Sequence, residues 1–372
     1  MALFKELGVR KEYVKGLKEL GIINPTEVQK ETIPYLLEHH TDFIGLAQTG
    51  TGKTAAYGLP VLHKINTSKK SIQALILSPT RELVQQIKKQ LFKFTKYVDE
   101  RIFLEAVYGG EKIEIQVKNL KRTTHIVIAT PGRLIDLIER GAIDLKEVQT
   151  LILDEADEML SMGFKTELNR ILKYTSGTRK TWLFSATMPE EIKKIIKKYM
   201  VTSSKQVAVN KNALVNANII HQFTETTISE KVAVIVRFLE NRSSERGIVF
   251  SRTKAGAQKL AKELKNEGFS VGALEGNMQQ KERDKVMRSF KNENLQVLVS
   301  TDVAARGIDV KNLSFVIHHQ LPEELAYYTH RSGRTARAGK TGVSLALVLK
   351  NERDRIQEIE RSLHIKILEI SL

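Results

Sequence analysis

The chain has 372 residues, more than the roughly 250 to 300 that one hydrophobic core usually organises, so we expect two domains. Hydrophobic residues make up 41% and charged residues 27%, which excludes a disordered or fibrous protein, and the absence of cysteine excludes a disulfide framework and a thiolate zinc site. The 59 basic and 43 acidic side chains give a net charge of +16, which favours a polyanionic partner. No apolar run approaches the roughly 20 residues of a spanning helix, and no signal-peptide core is present, so we predict a cytoplasmic protein.

Short aliphatic and β-branched runs alternate with helical patterns in the first half of the chain. Strands buried on both faces are continuously apolar, so these runs predict a parallel sheet with helices on its faces. The helical patterns are clearest at 81–98 and 190–200. The predicted strands cover residues 42–47, 74–78, 103–109, 125–130, 150–157 and 182–187.

The same alternation resumes in the second half, after a polar, asparagine-rich stretch. We therefore predict a first α/β domain at 1–204, a linker at 205–217 and a second α/β domain at 218–372. The predicted strands of the second domain cover residues 247–251, 271–276, 296–301, 315–319 and 343–349.

A phosphate-binding loop follows the first predicted strand. Residues 47–54 read AQTGTGKT and precede a helical segment, which is the strand, loop and helix context that a P-loop requires. Glycines let the loop turn its N–H groups onto phosphate oxygens, while Lys53 reaches the β and γ phosphates and Thr54 ligates Mg²⁺. An ordinary glycine turn is the alternative, and the full pattern disfavours it. The predicted ATP-binding residues of the loop are Thr49, Gly50, Thr51, Gly52, Lys53 and Thr54.

Two acids, Asp154 and Glu155, close the apolar run at 150–153. Active sites of α/β sheets lie at the carboxyl ends of strands, so these acids are candidates for catalysis. We predict that Asp154 holds Mg²⁺ and that Glu155 orients or deprotonates the attacking water. The alternative is an acidic helix N-terminus, which the helix dipole favours by itself. The neighbouring P-loop pattern favours the catalytic interpretation.

The chain closely resembles the DEAD-box ATP-dependent RNA helicases, because residues 154–157 read Asp-Glu-Ala-Asp and many further signatures occur in the family's order. The resemblance covers nearly the whole sequence and implies two tandem RecA-like domains, each a mostly parallel sheet flanked by helices. The matching segments are PTEVQ at 25–29, PTREL at 79–83, TPGRL at 130–134, SAT at 185–187, VFSRT at 249–253, STDVAARGID at 300–309 and HRSGRTAR at 330–337.

The resemblance also implies how ATP is recognised. Gln29 is expected to bond the adenine edge, Phe4 to stack on the ring, and Asp309 to meet the ribose hydroxyls. An aspartate capping a loop turn is the alternative for Asp309. Ser185 and Thr187 resemble the segment that couples hydrolysis to strand separation, with His330 a further member of that coupling network.

Two arginines, Arg334 and Arg337, resemble the arginine fingers of the family. Permanently charged guanidinium groups suit the charge that spreads over a transferring phosphoryl group. A basic loop or an RNA contact is the alternative. Since both lie in the other predicted domain from Lys53, their joint action requires the domains to close on ATP.

RNA contacts are expected in both halves by the same resemblance. Contacts to phosphates carry no sequence information, so binding is predicted to be salt-sensitive and independent of sequence, with 2′-OH contacts favouring RNA over DNA. The candidate residues are Arg81, Gly110, Thr130, Arg133, Thr253, Arg283 and Thr301.

Four positions depart from the common family pattern. Asn277 and Gln320 stand where an aspartate is usual. Each removes a possible acidic contact, so the strength of coupling between the two halves stays open. Ser332 and Ala336 replace Ile and Gly of the usual HRIGRTGR form. None of the four belongs to the predicted phosphate chemistry.

The leading hypothesis is an ATP-dependent RNA helicase that uses ATP and Mg²⁺ to unwind short RNA duplexes or remodel RNA–protein complexes. A second hypothesis is an ATP-dependent RNA clamp with slow turnover inside a larger assembly, which duplex-length dependence and product-release rates would discriminate. A DNA translocase is the third, and the PTEVQ element disfavours it. We expect a monomer that binds single-stranded or short duplex RNA, with protein partners in ribonucleoprotein complexes.

Overall fold

The computed structural model describes residues 3–48, 50–175, 177–201, 204–208, 216–305, 310, 313–336 and 340–372. The chain divides into two compact units, Met1–Val209 and Asn210–Leu372. Each unit contains a sheet of seven strands, and the strand pairings of the described residues are all parallel. The predicted α/β class is therefore confirmed.

The first unit has a sheet with strand order β3-β4-β2-β5-β6-β1-β7. Its strands are β1 (Phe43–Leu46), β2 (Ala74–Leu77), β3 (Leu104–Val107), β4 (Ile126–Ala129), β5 (Thr150–Asp154), β6 (Lys180–Ser185) and β7 (Lys205–Ala208). Its helices are α1 (Lys11–Glu19), α2 (Glu27–Glu38), α3 (Lys53–Lys64), α4 (Arg81–Phe94), α5 (Ile113–Leu120), α6 (Pro131–Glu139), α7 (Ala156–Ser161), α8 (Lys165–Tyr174) and α9 (Glu190–Tyr199), with a 3₁₀ turn at Thr95–Tyr97.

Both faces of this first sheet are covered by apolar side chains. Successive strand residues point to opposite faces, so Phe43 and Trp182 join one core cluster while their neighbours Ile44 and Leu183 join the other. Continuous burial on two faces explains why these strands are apolar without alternation. Trp182 is fully buried and donates its indole N–H to the carbonyl oxygen of Thr41 at 3.1 Å, so it is a core residue.

The second unit has a sheet with strand order β10-β11-β9-β12-β13-β8-β14. Its strands are β8 (Ile219–Glu225), β9 (Gly247–Phe250), β10 (Val271–Leu274), β11 (Val297–Ser300), β12 (Phe315–His318), β13 (Gly342–Val348) and β14 (Leu368–Glu369). Its helices are α10 (Lys231–Glu240), α11 (Lys254–Asn266), α12 (Gln280–Lys291), α13 (Asp302–Ala305), α14 (Leu325–Ser332) and α15 (Arg353–Leu363), with a 3₁₀ turn at Lys350–Glu352.

Three strands differ from the sequence prediction. Residues 205–208, which we predicted to begin the linker, form β7 and pair with β1 at the edge of the first sheet. β8 and β14 were not predicted either. Because β8 alternates buried and exposed residues and β14 has two residues, neither shows the continuous apolar run that marks the central strands.

Candidate ATP and RNA site

The phosphate-binding loop lies between the carboxyl end of β1 and the first residue of α3. Gly50 and Gly52 have φ angles of 83° and 91°, in the left-handed region that favours glycine. Gly52 is also the residue that precedes the helix, and a Cβ atom there would lie 2.4 Å from the Gln29 Nε2 atom. The glycine pattern of the sequence is therefore required by the backbone at these positions. Thr49 lies outside the described residues.

Gln29 and Thr26 hold this loop from the preceding helix. The Gln29 side chain, 2% exposed, donates from Nε2 to the Gly52 carbonyl oxygen at 3.0 Å and accepts the Thr26 backbone N–H at 2.9 Å. The Thr26 hydroxyl donates to the Thr51 carbonyl oxygen at 2.8 Å. The residue predicted to read adenine thus lies directly against the phosphate loop and fixes its backbone. Its contact with adenine stays a prediction.

Phe4, the predicted stacking residue, lies in the core of the first unit. Its side chain is 2% exposed and belongs to the cluster that contains Leu7, Val9 and Tyr13. The ring is covered by residues of its own chain in this structure. Stacking of Phe4 on adenine stays a prediction.

Lys53 and Asp154 are buried residues of opposite charge: Lys53 begins α3, the helix after β1, and Asp154 ends β5. Their side chains belong to residues that are only 6% and 5% exposed. Among the described residues, neither Lys53 Nζ nor Asp154 Oδ1 has a hydrogen-bond partner. Burial raises the pKa of the Asp154 carboxyl, while the Lys53 ammonium lowers it. Burying polar atoms without hydrogen-bond partners costs free energy of folding, so these two atoms indicate a ligand-binding site.

The oxygen atoms near this pair suit a magnesium ion. Thr54 follows Lys53 in the first turn of α3, and Asp154 ends β5, so a hydroxyl and a carboxylate are both available. Mg²⁺ prefers such oxygen ligands and takes its remaining ligands from water and substrate phosphates. The residues present therefore fit the ion that the sequence predicts.

Tyr57 is a site residue that the sequence analysis missed. It is fully buried, and its hydroxyl donates to Asp154 Oδ2 at 3.0 Å. Burial raises the pKa of the Tyr57 phenol well above its usual value, and the Asp154 charge raises it further. A sequence signal was present, because Tyr57 lies three residues after Thr54 on the same face of α3.

Glu155 occupies the sharp turn between β5 and α7. Its backbone has φ 52° and ψ 52°, a left-handed conformation that a residue other than glycine adopts only when its surroundings hold it there. Its carbonyl oxygen accepts the Met159 N–H at 3.0 Å, so the helix begins immediately afterwards. The turn places two acids in succession at the carboxyl end of the central strand.

The coupling segment contacts the acidic motif directly. Asp157 Oδ2 accepts hydrogen bonds from the Thr187 N–H at 2.8 Å and from the Thr187 hydroxyl at 2.7 Å. The Asp157 N–H donates to Ser185 Oγ at 3.3 Å. Ser185 and Thr187 are therefore brought together with the acids, as a coupling role requires. His330 lies in α14 of the second unit.

The predicted RNA contacts of the first unit lie at the ends of three neighbouring strands. Gly110 follows β3, Thr130 follows β4, and Arg81 follows β2, and these strands are consecutive in the sheet. Gly110 has φ 87°, and a Cβ atom there would lie 2.6 Å from Arg81 Nη1. Arg133, in the first turn of α6, donates from Nη1 to the Glu111 carbonyl oxygen at 3.0 Å. The ATP residues follow β1 and β5 instead, in the other half of the sheet.

Gln116 is a buried residue beside these candidate RNA contacts. The sequence analysis did not predict it. It is 0% exposed, and its Nε2 donates to the Tyr108 carbonyl oxygen at 2.9 Å and to Glu111 Oε2 at 2.8 Å. Both acceptors flank the Gly109–Gly110 turn. A buried amide therefore sets the shape of the turn that carries Gly110.

The predicted RNA contacts of the second unit follow strands β9, β10 and β11, which match β2, β3 and β4 of the first sheet. Thr253 follows β9 and caps α11, accepting the Gly256 N–H at 3.0 Å. Thr301 follows β11, and Arg283 lies on α12, which follows β10. Arg283 donates from Nη2 to the Ala304 carbonyl oxygen at 2.7 Å. β10, β11 and β9 are neighbours in their sheet, as β3, β4 and β2 are in the first.

Arg334, one of the two predicted arginine fingers, follows α14 by two residues. Arg334 is buried and its N–H donates to the Arg331 carbonyl oxygen at 3.0 Å. Arg337 lies outside the described residues, as does Asp309, the predicted ribose contact.

Arg331, near Arg334 in sequence, forms an ion pair with Asp302 that the sequence analysis did not predict. Arg331, which is almost fully buried, contacts both carboxylate oxygens of Asp302, at 2.5 and 2.7 Å. Its Nη1 donates to the Gln320 carbonyl oxygen at 2.8 Å. Two segments with family signatures, 300–309 and 330–337, are therefore joined inside the second unit.

The four departures from the family pattern have contacts within the second unit. Asn277 Oδ1 accepts from Lys254 Nζ at 2.6 Å, and Gln320 Oε1 accepts the Arg252 N–H at 3.0 Å. The Ser332 hydroxyl hydrogen-bonds the Ser344 hydroxyl at 2.8 Å. Ala336 has φ 55°, a conformation that glycine adopts with less strain.

Two family models match the chain, one in each unit. The DEAD/DEAH box helicase model matches residues 26–195, and the helicase conserved C-terminal domain model matches residues 230–339. The DEAD-box ATP-dependent RNA helicase CshA of Geobacillus kaustophilus is 40% identical over 97% of this chain and 77% of its own. The chain belongs to the DEAD-box ATP-dependent RNA helicases.

Other DEAD-box helicases agree with this assignment. The ATP-dependent RNA helicase CshA of Limosilactobacillus reuteri is 41% identical over 98% of this chain and 73% of its own. A solved structure of S. cerevisiae Dbp5 bound to RNA and ADP BeF3 is 30% identical, with a TM-score of 0.90 over 99% of this chain and 95% of that one. The predicted pair of RecA-like domains is therefore confirmed.

None of the helices described for this DEAD-box chain is both long and apolar enough to span a membrane.

Proposed function

We propose that the chain hydrolyses ATP in an RNA-stimulated reaction and uses it to separate short RNA duplexes locally or to remodel RNA–protein complexes. The observation that carries this proposal is the buried pair of Lys53 Nζ and Asp154 Oδ1, polar atoms without partners among the described residues, at the end of a glycine loop. An anionic phosphate chain with its cation supplies what both groups lack.

The residues of the loop bind the substrate in this proposal. Lys53 and the loop N–H groups hold the phosphates, Gln29 contacts the adenine edge, and Phe4 and Asp309 contact the adenine ring and the ribose. Thr54 and Asp154 would hold Mg²⁺, which would neutralise charge on the phosphate oxygens. The hydrogen bond of Gln29 to Gly52 and the buried Lys53 ammonium, which has no hydrogen-bond partner among the described residues, support the roles of these two residues.

Catalysis is assigned to Glu155 and to two arginines. Glu155 follows Asp154 directly and would orient and deprotonate the attacking water. Arg334 and Arg337 would stabilise the negative charge that spreads over the transferring phosphoryl group. Ser185 and Thr187 would transmit the change at the acids, because both hydrogen-bond Asp157, and His330 is assigned to the same coupling.

RNA binding is assigned to the two sets of strand ends. Support comes from their equivalent positions in the two sheets and from the solved Dbp5 structure, which contains RNA. Backbone phosphate contacts make this binding insensitive to sequence and sensitive to salt. The residues are Arg81, Gly110, Thr130, Arg133, Thr253, Arg283 and Thr301. We also propose that the chain acts as a monomer in the cytoplasm, where ATP and RNA meet, with protein partners in ribonucleoprotein complexes.

Steady-state ATP hydrolysis tests the proposal. The rate is measured without nucleic acid, with single-stranded RNA, and with DNA of the same sequence, and Glu155→Gln controls for contaminating activity. We expect strong stimulation by RNA alone and loss of turnover in the variant. Turnover that ignores RNA, or that DNA stimulates equally, would contradict the RNA assignment, while full activity of Glu155→Gln would contradict the catalytic one.

A further inference from the structure

Tyr57 lies on α3 and contacts Asp154, one of the two proposed magnesium ligands. It lies on the same face of α3 as Lys53 and Thr54, four and three residues after them. Its ring is fully buried and packs against Phe184 at a centroid distance of 5.2 Å. The phenol therefore has a fixed ring position, and only its hydroxyl is directed at polar groups.

The hydroxyl contacts one of the two proposed ligands, Asp154, directly. It donates to Asp154 Oδ2 at 3.0 Å. Thr54 lies three residues before Tyr57 on the same face of α3. Asp154 Oδ1, by contrast, is buried and has no hydrogen-bond partner among the described residues. One carboxylate oxygen is thus occupied by Tyr57 while the other is left available.

We propose that Tyr57 is a positioning residue of the magnesium site: its hydroxyl fixes one Asp154 oxygen, so that the other is presented to the cation. The inference rests on the proposed function, since it assumes that Thr54 and Asp154 are the ligands. The physical reason is that groups hydrogen-bonded to metal ligands hold the orientation of those ligands before the metal binds. Without the phenol hydroxyl, the Asp154 carboxylate loses a partner in a buried place and its orientation is no longer set.

A purely structural role for Tyr57 makes a different prediction. A core tyrosine that merely supports α3 would affect nucleotide binding equally with and without metal. A positioning residue affects only the contribution that Mg²⁺ makes. The two roles are therefore separated by measuring nucleotide affinity in both conditions.

The test is calorimetric titration of the full chain with ADP, in excess EDTA and over a series of Mg²⁺ concentrations, using Tyr57→Phe. This variant keeps the ring and its contact with Phe184, and thermal unfolding checks that it folds. Tyr13→Phe is the matched control, because Tyr13 is equally buried in the same unit and donates its hydroxyl to the Leu62 carbonyl oxygen at 3.1 Å.

We expect Tyr57→Phe to bind ADP in EDTA within about twofold of the wild type and to need about tenfold more Mg²⁺ for the tighter binding, the scale that loss of a group supporting a metal ligand produces. Tyr13→Phe should match the wild type in both conditions. An unchanged Mg²⁺ requirement in Tyr57→Phe, or an equal loss of affinity with and without metal, overturns the inference alone. A wild type whose ADP binding ignores Mg²⁺ overturns the proposed metal site as well.

Discussion

Two buried lysines occupy the same position in the two sheets. The strand orders of the sheets are identical when β8 is matched to β1. Lys53 is the first residue of α3, the helix after β1, and Lys231 is the first residue of α10, the helix after β8. Both residues are buried, at 6% and 4% exposure. The second unit therefore repeats the strand, loop and lysine arrangement of the first, without its glycines.

The two ammonium groups have different partners. Lys231 Nζ donates to the carbonyl oxygens of His319 at 2.6 Å and Leu347 at 3.1 Å. Lys53 Nζ has no hydrogen-bond partner among the described residues. A buried lysine whose ammonium donates to backbone carbonyl oxygens of the same unit stabilises the fold, whereas a buried ammonium without a hydrogen-bond partner needs a ligand. The difference separates a structural lysine from a binding lysine in otherwise equivalent places.

The largest expected effect is that of Lys53→Met. Removing the group that contacts the phosphates should lower the rate of ATP hydrolysis about 100- to 1,000-fold, the scale for loss of one charge-stabilising group. The free energy of unfolding should not fall, because no hydrogen bond of the fold is lost. ATP hydrolysis and urea denaturation of the same preparation measure both. A variant that is destabilised but still hydrolyses ATP would show that Lys53 stabilises the fold, and it would contradict the proposed difference between Lys53 and Lys231.

Acid should weaken the interior of the second unit. Burial lowers the pKa of His221 to about 4, below the value of about 6.5 in an unfolded chain. Between these values the unfolded state binds more protons, so this contribution is complete above about pH 6.5 and is lost as pH falls towards 4. The expected loss is about 2 kcal/mol at pH 5. Urea denaturation at pH 7 and pH 5 measures it, and an equal acid sensitivity in His221→Gln would contradict the assignment.

Lys231→Met is the matched counterpart of Lys53→Met. Two carbonyl oxygens lose a charged donor, which should lower the free energy of unfolding by about 1–3 kcal/mol. The affinity for ATP should be unchanged, since Lys231 belongs to the other unit. Denaturation and nucleotide titration check this pair of expectations. A fall in ATP affinity with normal stability would assign Lys231 to binding and remove the contrast.

Much of the fold was predictable because the central strands are buried on both faces. The predicted strands at 74–78 and 125–130 contain uninterrupted apolar runs at 74–77 and 126–129, which mark them as strands. The edge strand β7 begins with the exposed Lys205 and Gln206, so its composition matched that of a linker. Pairing with β1, a contact distant in sequence, decides its structure, and a local pattern cannot show such a contact.

The candidate site was predictable where its chemistry requires particular residue types. Gly52 and Lys53 are examples, because few residues permit the loop backbone or reach a phosphate. Tyr57 and Gln116 were missed because their roles depend on which side chains the fold brings within hydrogen-bonding distance. For Phe4, the resemblance implies stacking on adenine and the structure shows a ring buried in the core, so the stacking stays a prediction.

Ala336 shows how such a fold tolerates a change in its own signature. Its left-handed backbone costs about 1–3 kcal/mol for a residue with a side chain. The backbone of Ala336 is closely surrounded. Asn216 donates to its carbonyl oxygen at 2.7 Å, and a Cβ atom at Gly342 would lie 2.8 Å from its nitrogen. The backbone thus keeps a conformation that glycine, the usual residue of the HRIGRTGR form, adopts without this cost. A glycine at this position would relieve the strain.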